Sequence, residues 1–414
     1  MDDDELNRAI GRRIAYWRTR RRMTQEEFAR LMGGKSRRWA QNIEAGLRQS
    51  DPRLSVLQMA ARVLKIEIAD LLDDTPAAGC VDAVELAEIR DALQRHDLIT
   101  GTADPSGGDP LPIDVLRRRF VHGRLAFQAG SFAALGRLVP ELLTDTNRAA
   151  ARYTGEDRIA ALRLLSLTLG LTEGTATKYG AVELALLAGH RAVAVAERSE
   201  DPVIMASAAR QLADAMTHSG QARSAAEFAV AAAVRLEGDL LERGESGLSV
   251  LGMLYLKAAM AKAAAAERTD PRAAIDVPEL LDQADHHAAQ LGHDGNAMFT
   301  AFGPTNAAVH RVAAMVQLSQ GADAVAIAVG IPDPALGALP RERRAHHLAD
   351  LARGYLQAGR REEAVDTLLD AERQAPEEVR CRPRTHRLVE DLRLLGAGSA
   401  SGRLNALAER CGLT

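Results

Sequence analysis

Aromatic residues are scarce in this chain, at 3% of 414 positions. β-Sheets favour aromatic and β-branched side chains, whereas close-packed helices favour small ones. With 47% hydrophobic residues and abundant alanine, the composition predicts an all-α protein with a sizeable core. Cysteine is nearly absent. Cys80, Cys381 and Cys411 are an odd number without metal-ligand spacing, which predicts reduced thiols rather than a disulfide framework or a zinc site. No run approaches the ~18 uninterrupted apolar residues of a membrane span. The first residues, Met1-Asp2-Asp3-Asp4-Glu5, are acidic and lack an apolar segment, so no signal peptide and a cytoplasmic location are expected. No nucleophile elbow, HExxH pair, dinucleotide fingerprint or recurring carboxylate pair appears, so neither catalysis nor a cofactor is expected. Gly34-Lys35-Ser36 imitates the end of a phosphate-binding loop, but Ala29 stands where that loop needs its first glycine. His286-His287 and His346-His347 put neighbouring rings on different helix faces, and no metal site is expected from them.

Charge is distributed unevenly. The net charge is -4, yet residues 1–50 hold twelve basic against seven acidic residues, and the remainder 40 against 49. A basic head on an acidic body suggests that only the head meets a polyanion.

Within the head, Ile10, Ile14 and Trp17 form one apolar stripe of a helix expected over about Leu6–Arg21, flanked by Arg12, Arg13, Arg18, Arg20 and Arg21. Thr24 and Glu27 have the spacing of a capping box, followed by inward-facing Phe28, Ala29 and Met32. Gly33-Gly34 ends that helix. Ser36 is positioned to cap the next one, in which Trp39, Ala40 and Ile43 face the core and Arg38, Gln41 and Ala45 lie opposite, beside Arg37 and Asn42. Arginine can bind guanine in bidentate fashion and Asn or Gln can bind adenine, so Arg37, Arg38, Gln41 and Asn42 are the candidate base readers. Lys35, Ser36 and Gln25 are placed to meet phosphates.

Residues 10–72 resemble the lambda-repressor-like (Xre-type) helix-turn-helix family. The resemblance rests on Ile10-Gly11, Arg18, Thr24-Gln25, Phe28-Ala29, Ile43-Glu44, Gly46, Leu54, Leu57, Ala61, Leu64, Ile66 and Leu71. It implies a five-helix domain on double-stranded DNA, with Gln25 on a phosphate, Arg37, Arg38 and Asn42 toward bases, and Glu44 paired with Arg18. The turn is one residue longer than the family pattern, and Lys65 replaces a frequent glycine.

The expected organisation is a helix-turn-helix domain over 1–74, a short helix and flexible linker over 75–112, and a helical-repeat body over 113–414. Leu348, Leu351, Ala352, Tyr355, Gly359, Ala364, Leu368, Ala371 and Pro376 resemble a tetratricopeptide unit, and Ala209–Ala232 a weaker copy. Further helix pairs are expected across Arg158–Ala196 and Ala297–Val329. The body therefore reads as an α-solenoid whose groove accepts a peptide, small molecule or partner protein. Asn306 and His310, at i and i+4 beside Arg311, are the candidate polar residues of that groove, with Thr305 as a cap.

Together these features predict a sequence-specific transcription regulator, homodimeric, with a sensing or dimerising body. The combination is similar to tetratricopeptide-containing Xre-type regulators, including Gram-positive peptide sensors. A repeat scaffold that docks a protein partner and is merely localised to DNA by its head is the competing reading.

Overall fold

The computed structural model describes residues 3–21, 23–47, 54–64, 66, 68–72, 83–95, 109–266 and 273–413. Lys65 and the 96–108 part of the expected linker lie outside them. Helices are the only extended elements among the described residues. The chain divides into two compact units, residues 1–78 with 82–84, and 79–81 with 85–414.

The first unit contains α1 (Asp3–Arg20), α2 (Gln25–Leu31), α3 (Arg37–Glu44), α4 (Leu54–Leu64) and α5 (Ala69–Leu72). The apolar stripe of α1 meets Phe28, Met32, Ala40, Ile43, Leu57, Leu64 and Leu71 in one core. Trp39, expected inside, keeps part of its ring in solvent and stacks on Phe28 at 6.4 Å between centroids. Buried Arg13 donates from Nη1 to the carbonyl of Leu71 at 2.8 Å, and Arg21 donates from Nε to that of Leu64 at 2.9 Å. Arg13 of α1 and Arg21 just beyond its end thus fasten the ends of α5 and α4, a role their charge did not announce.

Gly11 sets how closely α1 and α3 approach. A Cβ built there would lie 2.5 Å from the carbonyl oxygen of Ile43 and 2.6 Å from that of Glu44. Those oxygens belong to backbone and cannot rotate aside.

The second unit opens with α6 (Ala83–Gln94), whose Ile89, Ala92 and Leu93 join the core formed by Leu116, Phe120 and Leu135. The helix expected within the connection is therefore part of the body, because its apolar face is buried there. Antiparallel pairs follow: α7 (Ile113–Gln128) with α8 (Phe132–Arg152), α9 (Gly155–Lys178) with α10 (Val182–Glu197), α11 (Pro202–His218) with α12 (Ala222–Leu241), and α13 (Gly244–Ala265) with α14 (Ala273–Leu291). Then come α15 (Pro304–Gln317) with α16 (Gly321–Val329), α17 (Asp333–Ala338), α18 (Arg341–Gln357) with α19 (Arg361–Gln374), α20 (Pro376–Arg380), α21 (Pro383–Leu395) and α22 (Ser401–Arg410). This is a helical-repeat body, and small residues allow its tight packing. Gly189 brings α10 onto Leu212 of α11, and Gly354 brings α18 onto Val316 of α15. α13 has the length and apolarity of a membrane span, but most of its apolar stretch is buried against the body's other helices, as in a core helix.

The body does not remain an open array. Its last helices return to its first. The carboxylate of Glu377 accepts from the amide of Ala133 at 2.8 Å, and Gly180 makes room for Pro383. Lys178 of α9 sits between Glu342 of α18 and Glu378 of α20, with Nζ 2.8 Å from the nearer Glu378 oxygen. Arg382 donates to Glu378 at 2.7 Å.

Cys411 is a buried free thiol that burial pushes up to about 11. Cys381 is disulfide-bonded, which corrects the reading of three reduced thiols. Cys80 lies outside the described residues.

Replacing Gly11 with alanine should destabilise the first unit by about 1–3 kcal/mol, as overpacking does. The higher helix propensity of alanine, ~1 kcal/mol, only partly offsets the clash. Calorimetry should show a lowered transition for the first unit and an unmoved one for the body.

Candidate nucleic-acid interface

The order of polar groups in α1–α3 builds one exposed face. Thr24 Oγ1 accepts from the Glu27 amide at 3.1 Å, and the Glu27 carboxylate accepts from the Thr24 amide at 2.7 Å. The Thr24 backbone N–H holds the Glu27 carboxyl below its ordinary range. α2 ends where Lys35 donates back to the carbonyl of Ala29 at 2.8 Å. That closure needs left-handed backbone at two successive residues, supplied by Gly33 at φ 85° and Gly34 at φ 73°. Nothing stands within 4 Å of a Cβ at either, so conformation rather than space selects glycine there.

Ser36 then caps α3, accepting from the Trp39 amide at 3.3 Å. Its hydroxyl is engaged within the protein, while Lys35 beside it is exposed. At the other end of α3, Glu44 gathers three donors. Arg18 approaches in a fork at 2.5 Å from Nε and 3.1 Å from Nη2, and Gln25 donates from Nε2 at 2.9 Å. Arg18 also donates to the carbonyl of Met23 at 2.7 Å. One carboxylate therefore ties α1, the start of α2 and the end of α3, with only 8% of its side chain exposed. The Gln25 carboxamide is part of this knot.

Arg37, Arg38 and Gln41 are exposed and Asn42 is half-buried. None has a side-chain partner among the described residues. Four groups able to read base edges thus lie on one helix with their hydrogen-bonding capacity unused.

The three groove candidates of the body separate. His310 lines a cavity of about 670 Å³ between the body's helices. Its Nδ1 lies 2.8 Å from the carbonyl oxygen of Asn306, and burial beside Arg343 and Lys257 pushes the imidazole down to about 3. Asn306 is fully buried and donates to the carbonyl of Thr300 at 3.3 Å. Arg311 faces α14 instead, with Nη2 2.8 Å from Asp282 and 2.6 Å from Asp285. One residue along a helix is a 100° turn, so Arg311 cannot share the face of His310. Thr305 does not cap α15 either; Asp294 accepts both its amide and its hydroxyl. Of the three expected groove residues, the structure brings only His310 to the cavity.

Glu342, His346 and Glu378 stand near enough together to hold a metal ion. The Lys178 ammonium occupies that position and satisfies both carboxylates. Sequence reasoning passed over Lys178, Arg210 and Glu342 because the helices that carry them meet only in the fold.

Glu173, fully buried on α9, is pushed up to about 8 by burial and by nearby Asp214. Thr177 Oγ1 donates to it at 2.9 Å, and Lys257 and Arg210 pull weakly the other way. Because the folded state holds this proton more tightly than the unfolded chain, the neutral group contributes its full stability below pH about 4.5. That contribution is lost as pH rises through about 8. Glu173→Gln stays neutral throughout. Its melting temperature should match the wild type near pH ~5 and exceed it by several degrees above pH ~8. A pH-independent difference would refute the buried-acid account.

Residues 14–71 match the helix-turn-helix family model. No curated protein matches the chain. The matched segment contains α2, α3, α4 and the Arg18–Glu44 pair, and it supports a DNA-binding transcriptional regulator.

Proposed function

We propose that the chain is a sequence-specific transcription regulator that lays α3 in the DNA major groove and senses a ligand through its helical-repeat body. The observation that carries the reading is the free hydrogen-bonding capacity of Arg37, Arg38, Gln41 and Asn42 on a helix whose other face is locked in the core. Half-buried Asn42 has no side-chain partner among the described residues, and the exposed Arg37, Arg38 and Gln41 beside it are free to meet base edges. Lys35 and the Gln25 end of α2 lie beside them, where a phosphate backbone would run.

Two heads acting together suit this chemistry. A single small domain offers limited contact area, and paired heads read half-sites about one helical turn, ~34 Å, apart. The working form is therefore a homodimer, and its place of action is the cytoplasm, with the chromosome. The tetratricopeptide-like body supplies the cavity in which an effector changes how the two heads engage.

Selection from random duplexes should return a palindromic or repeated word. Arg38→Ala should cost about 1–3 kcal/mol on that word and relax preference at one base pair. Uniform weakening on all sequences would remove Arg38 from base reading. Gln25→Ala should weaken binding evenly across sequences, and a changed preference would overturn its phosphate role.

A further inference from the structure

The cavity has a charge surplus that the protein does not balance. Nine arginine or lysine residues line it, against three carboxylates. Those carboxylates are committed within the protein. Asp214 accepts from Lys257 at 2.6 Å, Glu342 accepts from Lys178, and Asp350 lies 3.5 Å from His346. Arg124, Arg210, Arg343, Arg384 and Arg387 are left without a carboxylate partner among the described residues. Arg210 is the most exacting case. Its side chain is only 7% exposed, it lines the cavity, and its Nε has no hydrogen-bond partner. Glu173 and Asp214 act on it through space without an ion pair, and a buried guanidinium left short of hydrogen bonds is costly, so a protein retains one where something else meets it.

The wall carries a second sign of adaptation. Met298, Phe299 and Ala301 all have φ between 51° and 55°, although none is glycine. Phe299 and Ala301 line the cavity. Left-handed backbone at three non-glycine residues in four is strained, and such strain persists where surrounding structure enforces it, often at ligand sites. Next along the chain, the Phe302 ring fills the space beside Gly252, where a Cβ would lie 1.9 Å from the ring.

We infer that this cavity binds a compact phosphorylated small molecule of nucleotide size. The inference rests on the sensing role proposed for the body and names the chemistry of its effector. Seven arginines line the cavity, and the guanidinium fork matches phosphate oxygens in pairs. A volume of about 670 Å³ lies within the range of small-molecule sites. Phe127 and Phe299, whose rings flank Arg124 at 5.4 and 5.7 Å, offer apolar surface to an organic moiety. The last helices return onto the first beside the site.

Calorimetric titration and thermal melting of the full chain test this with three probes: inorganic pyrophosphate, ATP and a penta-aspartate peptide. Pyrophosphate and ATP should bind and raise the melting temperature of the body, ATP more tightly. Arg210→Met should fold at least as stably as wild type, because it removes an unpaired buried charge, and should weaken both by tenfold or more. Arg343→Gln, at a half-buried site without an ion pair, should weaken them as well. Arg311→Gln, on the outer face, should change neither. The inference is overturned if neither phosphate probe binds, if Arg210→Met and Arg343→Gln bind as wild type does, or if penta-aspartate binds more tightly than ATP. Operator affinity measured in parallel separates the two readings. Arg210-dependent ATP binding that leaves operator affinity unchanged would retain the ligand and refute the sensing role. Penta-aspartate that alters operator affinity while ATP stays inert would do the reverse.

Discussion

Glu44 holds the reading helix in place. Its carboxylate receives a forked pair of hydrogen bonds from Arg18 and a third from Gln25, and so fixes the C-terminal end of α3 to α1 and to the start of α2. The proposed reading of DNA by α3 depends on that fixation. A helix in a groove reads bases only if its angle and register are constant to a fraction of an ångström. The other end of α3 is set by the Ser36 cap and by two glycines in left-handed conformation. Gly11 lets the backbones of α1 and α3 approach without a side chain between them. The charged knot is not chiefly a source of stability, since nearly buried ion pairs roughly break even against their desolvation. Its value is positional: three elements share one acceptor and cannot drift independently.

The body depends on a comparable device. Lys178 lies between Glu342 and Glu378, and Arg382 adds a further bond to Glu378. These residues come from helices far apart in sequence, so the cluster forms only when the late helices have folded back. Removing Lys178 would leave Glu342 buried without its cation, at a cost on the order of 3–5 kcal/mol. The cluster therefore selects the closed arrangement over an open array. The return of the late helices gathers guanidiniums around one cavity, whose chemistry differs from that of a groove lined by asparagine. The candidate trio of Asn306, His310 and Arg311 illustrates the change. Asn306 went into the packing beneath the site, Arg311 went to the acidic face of α14, and only His310 stayed.

Local chemistry was legible. The capping box at Thr24 and Glu27, the Ser36 cap, the glycine stop and the apolar stripe of α1 are short-range features, and periodicity reports them faithfully. The exposed face of α3 follows from the same periodicity, so Arg37, Arg38 and Gln41 could be placed outward from spacing alone. Helix pairing in the body was legible for the same reason, because small residues recur where paired helices touch. What escaped was whatever depends on distance in sequence. The roles of Arg13 and Arg21 as fasteners of carbonyls look, in sequence, like surface charge. α6 looks like a spacer until Ile89 and Leu93 are seen inside the body.

The sequence by itself determined the class of this protein: all-helical, with a basic reading head and a body of paired helices. Those properties arise from contacts within a few residues of each other. Only the tertiary structure decided where the body's charges end up. Burial, enclosure and ion pairing depend on which helices meet, and ordering along the chain leaves that open until the last helices pack against the first.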